Sequence, residues 1–113
     1  MTVAVANLGT LERLCRDIRR SGLRAGDLAG LASYAVDDYV WARWGHSSSV
    51  QLARIAQAAP VALYDDAPAE WWWLQIYWPR QAGWRRLGTH RRVYRALHPV
   101  ELQALREAGV IPS

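Results

Sequence analysis

The chain has 113 residues, of which 51% are hydrophobic and 21% charged, so it fits one globular domain and is too apolar for intrinsic disorder. Its net charge is +4, and all 14 basic residues are arginine. No apolar run is long enough to span a membrane, the N-terminus lacks the pattern of a signal peptide, and Cys15 has no second cysteine to pair with, so a cytoplasmic, reduced location is expected.

The first predicted helix begins near Thr10, a favourable N-cap, and ends at Ser21 and Gly22. Its apolar stripe consists of Leu11, Leu14, Cys15 and Ile18. Four arginines lie off that stripe: Arg13, Arg16, Arg19 and Arg20. They either complement the negative end of the helix dipole or bind phosphate, and the pattern leaves both interpretations open.

Three further segments complete a predicted helical half over about residues 8–60. A short helix is expected over 25–33. The segment 36–44 is ambiguous, because its apolar residues fit a helical stripe while its composition suits a strand equally well. Another helix is predicted over 49–59, and Pro60 ends it. The apolar residues on which the interpretations of 36–44 and 49–59 depend are Val36, Val40, Trp41, Trp44, Leu52, Ile55, Ala56 and Ala59.

The segment from Glu70 to Arg86 contains five of the seven tryptophans. As a strand, residues 71–78 place alternate side chains on two faces. The face expected to be core consists of Trp72, Leu74, Ile76 and Trp78. The other consists of Trp71, Trp73, Gln75 and Tyr77, and it is either covered by another element or a binding face. Pro79 to Gly83 supplies turn chemistry, so residues 84–87 return as the second strand of a hairpin.

The chain after the predicted hairpin consists of an ambiguous segment and a final helix. Residues 88–97 are either the end of a strand or a short helix. His98 and Pro99 open the final helix, with Glu101 near its positive end and Gly109 as its cap. The predicted fold is therefore a single α+β domain over 1–113, in which the helical half precedes a hairpin or small sheet and a closing helix over about 70–111.

Three pieces of the helical half resemble, in order, the helix-turn-helix domain of the Cro and lambda-repressor type. Residues 22–32 (GLRAGDLAGLA) resemble the turn into that family's second helix, with Leu28 and Ala29 at its Leu-Ala position. Residues 42–46 (ARWGH) resemble the end of the recognition helix, and residues 52–63 resemble the fourth helix. The resemblance covers about residues 11–63 and implies a helix-turn-helix fold and DNA-binding, regulatory function.

The chain departs from this family where DNA would be read. The family usually has glycine before the recognition helix, and Ser33 and Tyr34 stand there instead. The positions that would face base edges lie near Val36, Asp37 and Asp38, and adjacent carboxylates are poor neighbours for phosphates. Helix-turn-helix arrangements also occur as packing units, so the resemblance implies the scaffold more strongly than the reading surface.

The leading functional hypothesis is nucleic-acid binding, because no acidic residue lies between Glu70 and Glu101 and arginines are interleaved there with aromatic residues. The candidate nucleic-acid-binding residues are Arg80, Trp84, Arg85, Arg86, Arg91, Arg92 and Arg95. The alternative for this segment is a solvated face whose arginines lie along tryptophan rings.

The second hypothesis is a protein-binding inhibitor or adaptor of phage or plasmid type, such as an anti-CRISPR. Its candidate residues are Trp71, Trp73 and Tyr77 on the strand, with Asp37 and Asp38 as an acidic edge. A homodimer is compatible with either hypothesis. No catalytic motif, metal-ligand spacing or phosphate-binding loop is present, so neither an enzyme nor a cofactor is expected.

Overall fold

A computed structural model describes residues 7–20, 34–43, 50–60, 71–78, 83–84 and 89–112, with residues 58–60, 71, 83 and 89–92 described by their backbone alone. Within these ranges the chain is mixed α+β. Its elements in chain order are α1 (Leu8–Arg20), β1 (Tyr39–Arg43), β2 (Val50–Pro60), β3 (Trp71–Trp78), β4 (Gly83–Trp84), β5 (Thr89–Ala96) and α2 (Pro99–Glu107). Neither of these two helices combines the length and the apolar character needed to cross a bilayer.

The four longer strands form an antiparallel sheet that closes on itself. The hydrogen-bonded order is β2-β1-β5-β3, and β3 also pairs with β2, so the pairings return to their starting strand. The centre of β2 makes the closure, because Ala53 is paired with Val40 of β1 on one side and with Ile76 of β3 on the other. Short β4 extends the end of β3 through Tyr77 and Trp84.

The interior of the closed sheet is an apolar core. Its buried residues are Val40, Ala42, Ala53, Ile55, Trp72, Leu74, Ile76 and Val93. Small residues from β1 and β2 complement a large one from β3, since Ala42 and Ala53 are 0% exposed and Trp72 is 2% exposed. Tyr34 packs edge-on against Trp72, with ring centroids 5.1 Å apart, and so covers part of this interior.

The two helices cover part of the outer face of the same sheet. The buried residues of this outer core are Leu11, Ile18, Trp41, Val50, Leu52, Tyr77, Tyr94, Leu97, Leu105, Val110 and Ile111. Helix α1 contributes Leu11 and Ile18, and α2 contributes Leu105. Residues 40–42 of β1 and 52–55 of β2 are therefore covered on both faces, because one set of side chains points inward and the alternate set lies on the outer face with the helices.

The predicted helical N-terminal half is wrong. Residues 50–60 are a strand, where a helix was expected over 49–59, and strand 39–43 of the same sheet lies in the segment 36–44, for which helix and strand were both open. Two of the three pieces that resemble Cro-type domains therefore extend over strands, and the third, 22–32, lies outside the described residues. The helix-turn-helix fold implied by the resemblance is overturned by this sheet.

The physical reason lies in burial on both faces. Apolar residues of β2 at helical spacing, such as Leu52 and Ile55, lie on opposite faces of the sheet and are 1% exposed in both cases. A strand buried on both faces has no alternation between apolar and polar residues, and its alanines favour a helix by intrinsic propensity. Long-range pairing outweighs that local preference.

Other predicted elements are confirmed. The first helix spans Leu8–Arg20 and the last spans Pro99–Glu107. Residues 71–78 form a strand whose Trp72, Leu74 and Ile76 are buried on one face. The ambiguous segment 88–97 contains strand β5. Of the predicted return strand, Trp84 pairs with β3, whereas the turn at 79–82 and residues 85–88 lie outside the described residues.

Candidate functional site

The register between β3 and β5 places the tryptophan-rich strand beside basic positions. Trp71 pairs with Arg92, Trp72 with Arg91, and Trp73 with His90. We call these three pairs the tryptophan–arginine ladder. On its other edge β5 continues the row, because Arg92 is also the backbone partner of Arg43 in β1. Three neighbouring strands thus bring two arginine positions and one tryptophan position into a single row.

The outer face of β3 changes from covered to uncovered along its length. Tyr77, near the end of the strand, is 5% exposed and belongs to the outer core. Gln75 is half-buried, and Trp73 is 38% exposed. The helices and β4 therefore cover one end of this face, while an indole at the other end remains accessible to solvent.

A cluster around Arg54 lies between these two ends. The Arg54 guanidinium carbon is 4.6 Å from the centroid of the Trp84 ring, and Nη2 donates a hydrogen bond to Oε1 of Gln75. Trp84 also contacts the rings of Tyr39 and Tyr77, with centroids 5.8 and 5.3 Å away. Trp84, a candidate for stacking on bases, is therefore packed into the edge of the outer core and holds an arginine by cation–π contact.

Arg95, another candidate for nucleic-acid contact, is engaged within the chain. Its Nη1 and Nη2 donate to the two carboxylate oxygens of Glu101, at 2.7 and 3.0 Å. Glu101 is 8% exposed and also accepts from Trp41 Nε1 and the His98 backbone N–H, at 3.2 and 2.7 Å. We call these four residues the Glu101 clamp. It joins α2 to β1 and β5, so the Arg95 side chain has a structural task.

Electrostatics in the clamp favour the charged carboxylate. Burial by itself raises the pKa of Glu101, but hydrogen bonds from Arg95, the His98 backbone and Trp41, together with the Arg95 charge, outweigh burial and lower that pKa below its ordinary value. The carboxylate therefore stays ionised in the folded protein at neutral pH.

The candidate acidic edge forms a turn before β1. Asp37 has a positive φ of 72°, and its N–H donates to the Ile55 carbonyl at 2.8 Å. The Asp38 carboxylate accepts from the Ala35 N–H at 2.8 Å. Both aspartates are exposed. Their hydrogen bonds tie this turn to β2, and aspartate tolerates the left-handed conformation that the turn requires.

Helix α1 adds a second basic surface. Arg13, Arg16, Arg19 and Arg20 are all exposed. Two exposed carboxylates, Glu12 and Asp17, lie among them on the same helix. This surface is therefore mixed in charge, unlike the tryptophan–arginine ladder, whose six positions include no acid.

Sequence reasoning missed three residues that shape the region: Arg43, Arg54 and Glu101. Arg43 lies near the Tyr94 ring, with its guanidinium carbon 6.0 Å from the centroid. Arg43 and Arg54 would have been found from strand alternation, had β1 and β2 been recognised as strands. Of the predicted residues, Arg80, Arg85 and Arg86 lie outside the described residues, and Trp71, Arg91 and Arg92 are described by backbone alone.

The chain matches no protein-family model, no curated protein and no solved structure. Within the described ranges, no three His, Cys, Asp or Glu side chains come together as a metal site would require.

Proposed function

We propose that this protein binds nucleic acid through the tryptophan–arginine ladder and the adjoining Arg43. The observation that supports this is the register of β5, which places Arg92 between Arg43 and Trp71 and places His90 beside Trp73, at positions of the same face of the sheet. Arginine neutralises phosphates and aromatic rings stack on bases, so a face that places arginine positions beside tryptophan positions suits a nucleic-acid strand.

Two of the nucleic-acid-binding residues expected from the sequence, Arg95 and Trp84, are engaged within the protein. Arg95 is held by Glu101, and Trp84 by Arg54 and Tyr77, so we assign both to the scaffold. Arg92 remains the residue expected to contact phosphates, with Arg80, Arg85, Arg86 and Arg91 as further candidates from sequence. A regulatory role and a cytoplasmic location belong to the same proposal.

The test is a titration of labelled DNA and RNA oligonucleotides, each at two salt concentrations, with wild-type protein and with Arg92→Ala. Binding should weaken steeply with salt, because each neutralised phosphate releases a condensed counterion. Arg92→Ala should lower affinity for all sequences alike and reduce the salt slope by about one unit. The matched control is Arg106→Ala, which removes the same charge from an exposed position on α2.

Two results would defeat the proposal. One is the absence of salt-dependent binding to any oligonucleotide at low ionic strength. The other is an equal loss of affinity in Arg92→Ala and Arg106→Ala, because this would trace binding to net charge alone.

Protein binding is the second candidate, and the 38% exposure of Trp73 favours it. Large aromatic residues dominate the energy of many protein interfaces. Tyr77 is buried, so Trp73 would be the main contact residue for a protein partner. Trp71, Asp37 and Asp38 are further candidates for that contact. On this hypothesis, Trp73→Ala would abolish partner capture, while Arg92→Ala would change mainly the association rate.

A further inference from the structure

The exposed indole of Trp73 identifies the form of nucleic acid that suits this surface. Trp73 lies on the outer face of β3. On the same face, Tyr77 belongs to the outer core and Gln75 is hydrogen-bonded to Arg54, so Trp73 is farther from the covered end of the strand than either. Its backbone partner on β5 is His90. A base can stack on an indole only when the face of that base is free, as it is in single strands and not inside a continuous duplex.

The spacing along the ladder extends this argument to neighbouring positions. Trp71 and Trp73 are two residues apart on β3, a separation of about 7 Å along the strand. The row of Trp71 also contains Arg92 and Arg43, so cationic positions lie to one side of the tryptophan positions. A single strand lying along the ladder would place its bases toward β3 and its phosphates toward β5 and β1.

The helices offer less to a duplex. A helix reads a major groove only when it projects from the domain, but α1 buries Leu11 and Ile18 against the outer core, and α2 is held to the sheet by the Glu101 clamp. The exposed surface of α1 mixes its arginines with Glu12 and Asp17, which repel phosphates. The sheet is thus better suited than either helix to contact nucleic acid.

We propose that the ligand of the tryptophan–arginine ladder is single-stranded nucleic acid, with one base stacked on Trp73. This inference rests on the proposed nucleic-acid function and specifies its substrate class. Contacts to phosphates and to the face of a base carry little sequence information, so recognition here is tolerant of sequence.

The experiment compares four fluorescein-labelled ligands by anisotropy at one ionic strength: a 12-nucleotide oligothymidine, the corresponding oligouridine, a 12-nucleotide abasic strand and a 12-base-pair duplex. Each is titrated with wild-type protein, Trp73→Phe and Trp73→Leu. Phenylalanine retains a ring for stacking, whereas leucine retains apolar bulk without one. Thermal unfolding of each variant confirms that the compared proteins are folded.

Wild-type protein should bind the oligothymidine or the oligouridine about tenfold or more tightly than the abasic strand, because stacking one base contributes about 1–3 kcal/mol. Whichever of the oligothymidine and the oligouridine binds more tightly identifies DNA or RNA as the preferred ligand. Trp73→Leu should lose most of that preference and Trp73→Phe should keep most of it. Neither substitution should change abasic-strand binding by more than about twofold, since phosphate contacts remain.

Equal affinities for the single strands, abasic strand and duplex would overturn the single-strand inference while leaving the proposed function in place. A preference for bases that is identical in wild type and Trp73→Leu would overturn the role of Trp73. Failure to bind any of the four ligands would overturn both this inference and the proposed function, and would favour a protein partner.

Discussion

Two adjacent tryptophans on one strand have opposite environments. Trp72 points into the closed sheet and is 2% exposed, whereas Trp73 points outward and is 38% exposed. Both belong to the same run of three tryptophans, and strand alternation separates them. The comparison shows that residue type alone does not define a tryptophan's environment, because closure of the sheet makes one face of β3 core and leaves part of the other face exposed.

The largest effect is expected on the inner face. Trp72→Ala should lower the free energy of unfolding by about 4 kcal/mol, because it empties a large site lined by Ala42, Ala53 and neighbouring apolar residues. Urea denaturation would measure the loss. Val100→Ala is the control, since Val100 is 74% exposed and its truncation should cost less than about 0.5 kcal/mol. Similar losses in both variants would contradict the assignment of Trp72 to the core.

On the helix-covered part of the outer face, Arg95→Ala should cost about 2 kcal/mol, because it leaves Glu101 buried with fewer donors. Arg106→Ala removes a charge from the exposed side of α2 and should change stability by less than about 0.5 kcal/mol. Chemical denaturation of the two variants under identical conditions separates loss of the clamp from loss of charge. Equal stabilities would show that the clamp contributes nothing.

A smaller effect follows from the charge of Glu101. Glu101→Gln should cost about 1 kcal/mol at pH 7, because it weakens a charge-assisted hydrogen-bond pair. The folded protein lowers the pKa of Glu101, so its stabilising contribution is fully present above the unfolded pKa and is lost as pH falls through the folded pKa.

The stability gap between wild type and Glu101→Gln should therefore be constant near neutral pH and narrow in acid, below the ordinary pKa of glutamate. Unfolding curves at a series of pH values between 7 and about 3 would test this linkage. A gap that widens as pH falls would mean that the protonated carboxyl is the favoured form in the folded protein.

The smallest effect on stability is expected at Trp73. Trp73→Ala should lower the free energy of unfolding by less than about 1 kcal/mol, because much of the indole already contacts water. The same thermal or urea measurements used for Trp72→Ala provide the direct comparison. A loss as large as that in Trp72→Ala would place Trp73 in a core and remove the basis for contact with a ligand there.

The elements at the two ends of the chain could be predicted because local signals agreed with the final structure. The apolar stripe of Leu11, Leu14 and Ile18 marks α1, and Pro99 with Glu101 marks the start of α2. Strand β3 was recognisable from the alternation of Leu74 and Ile76 with neighbouring polar and aromatic residues. The candidate site was only partly predictable, because Trp73 and Arg92 could be selected by type but not placed together.

What the sequence by itself determined was therefore local: an amphipathic helix at each end, the two faces of β3, and a segment between Glu70 and Glu101 that contains arginines but no acidic residue. Only the tertiary structure decided that residues 39–43 and 50–60 are strands, because Ala53 satisfies partners on both β1 and β3 and local helix propensity cannot report such pairing. The same long-range register placed Arg92 between Arg43 and Trp71. Cross-strand neighbours are set by sheet closure, so a contact surface built from three strands cannot be read from any one of them.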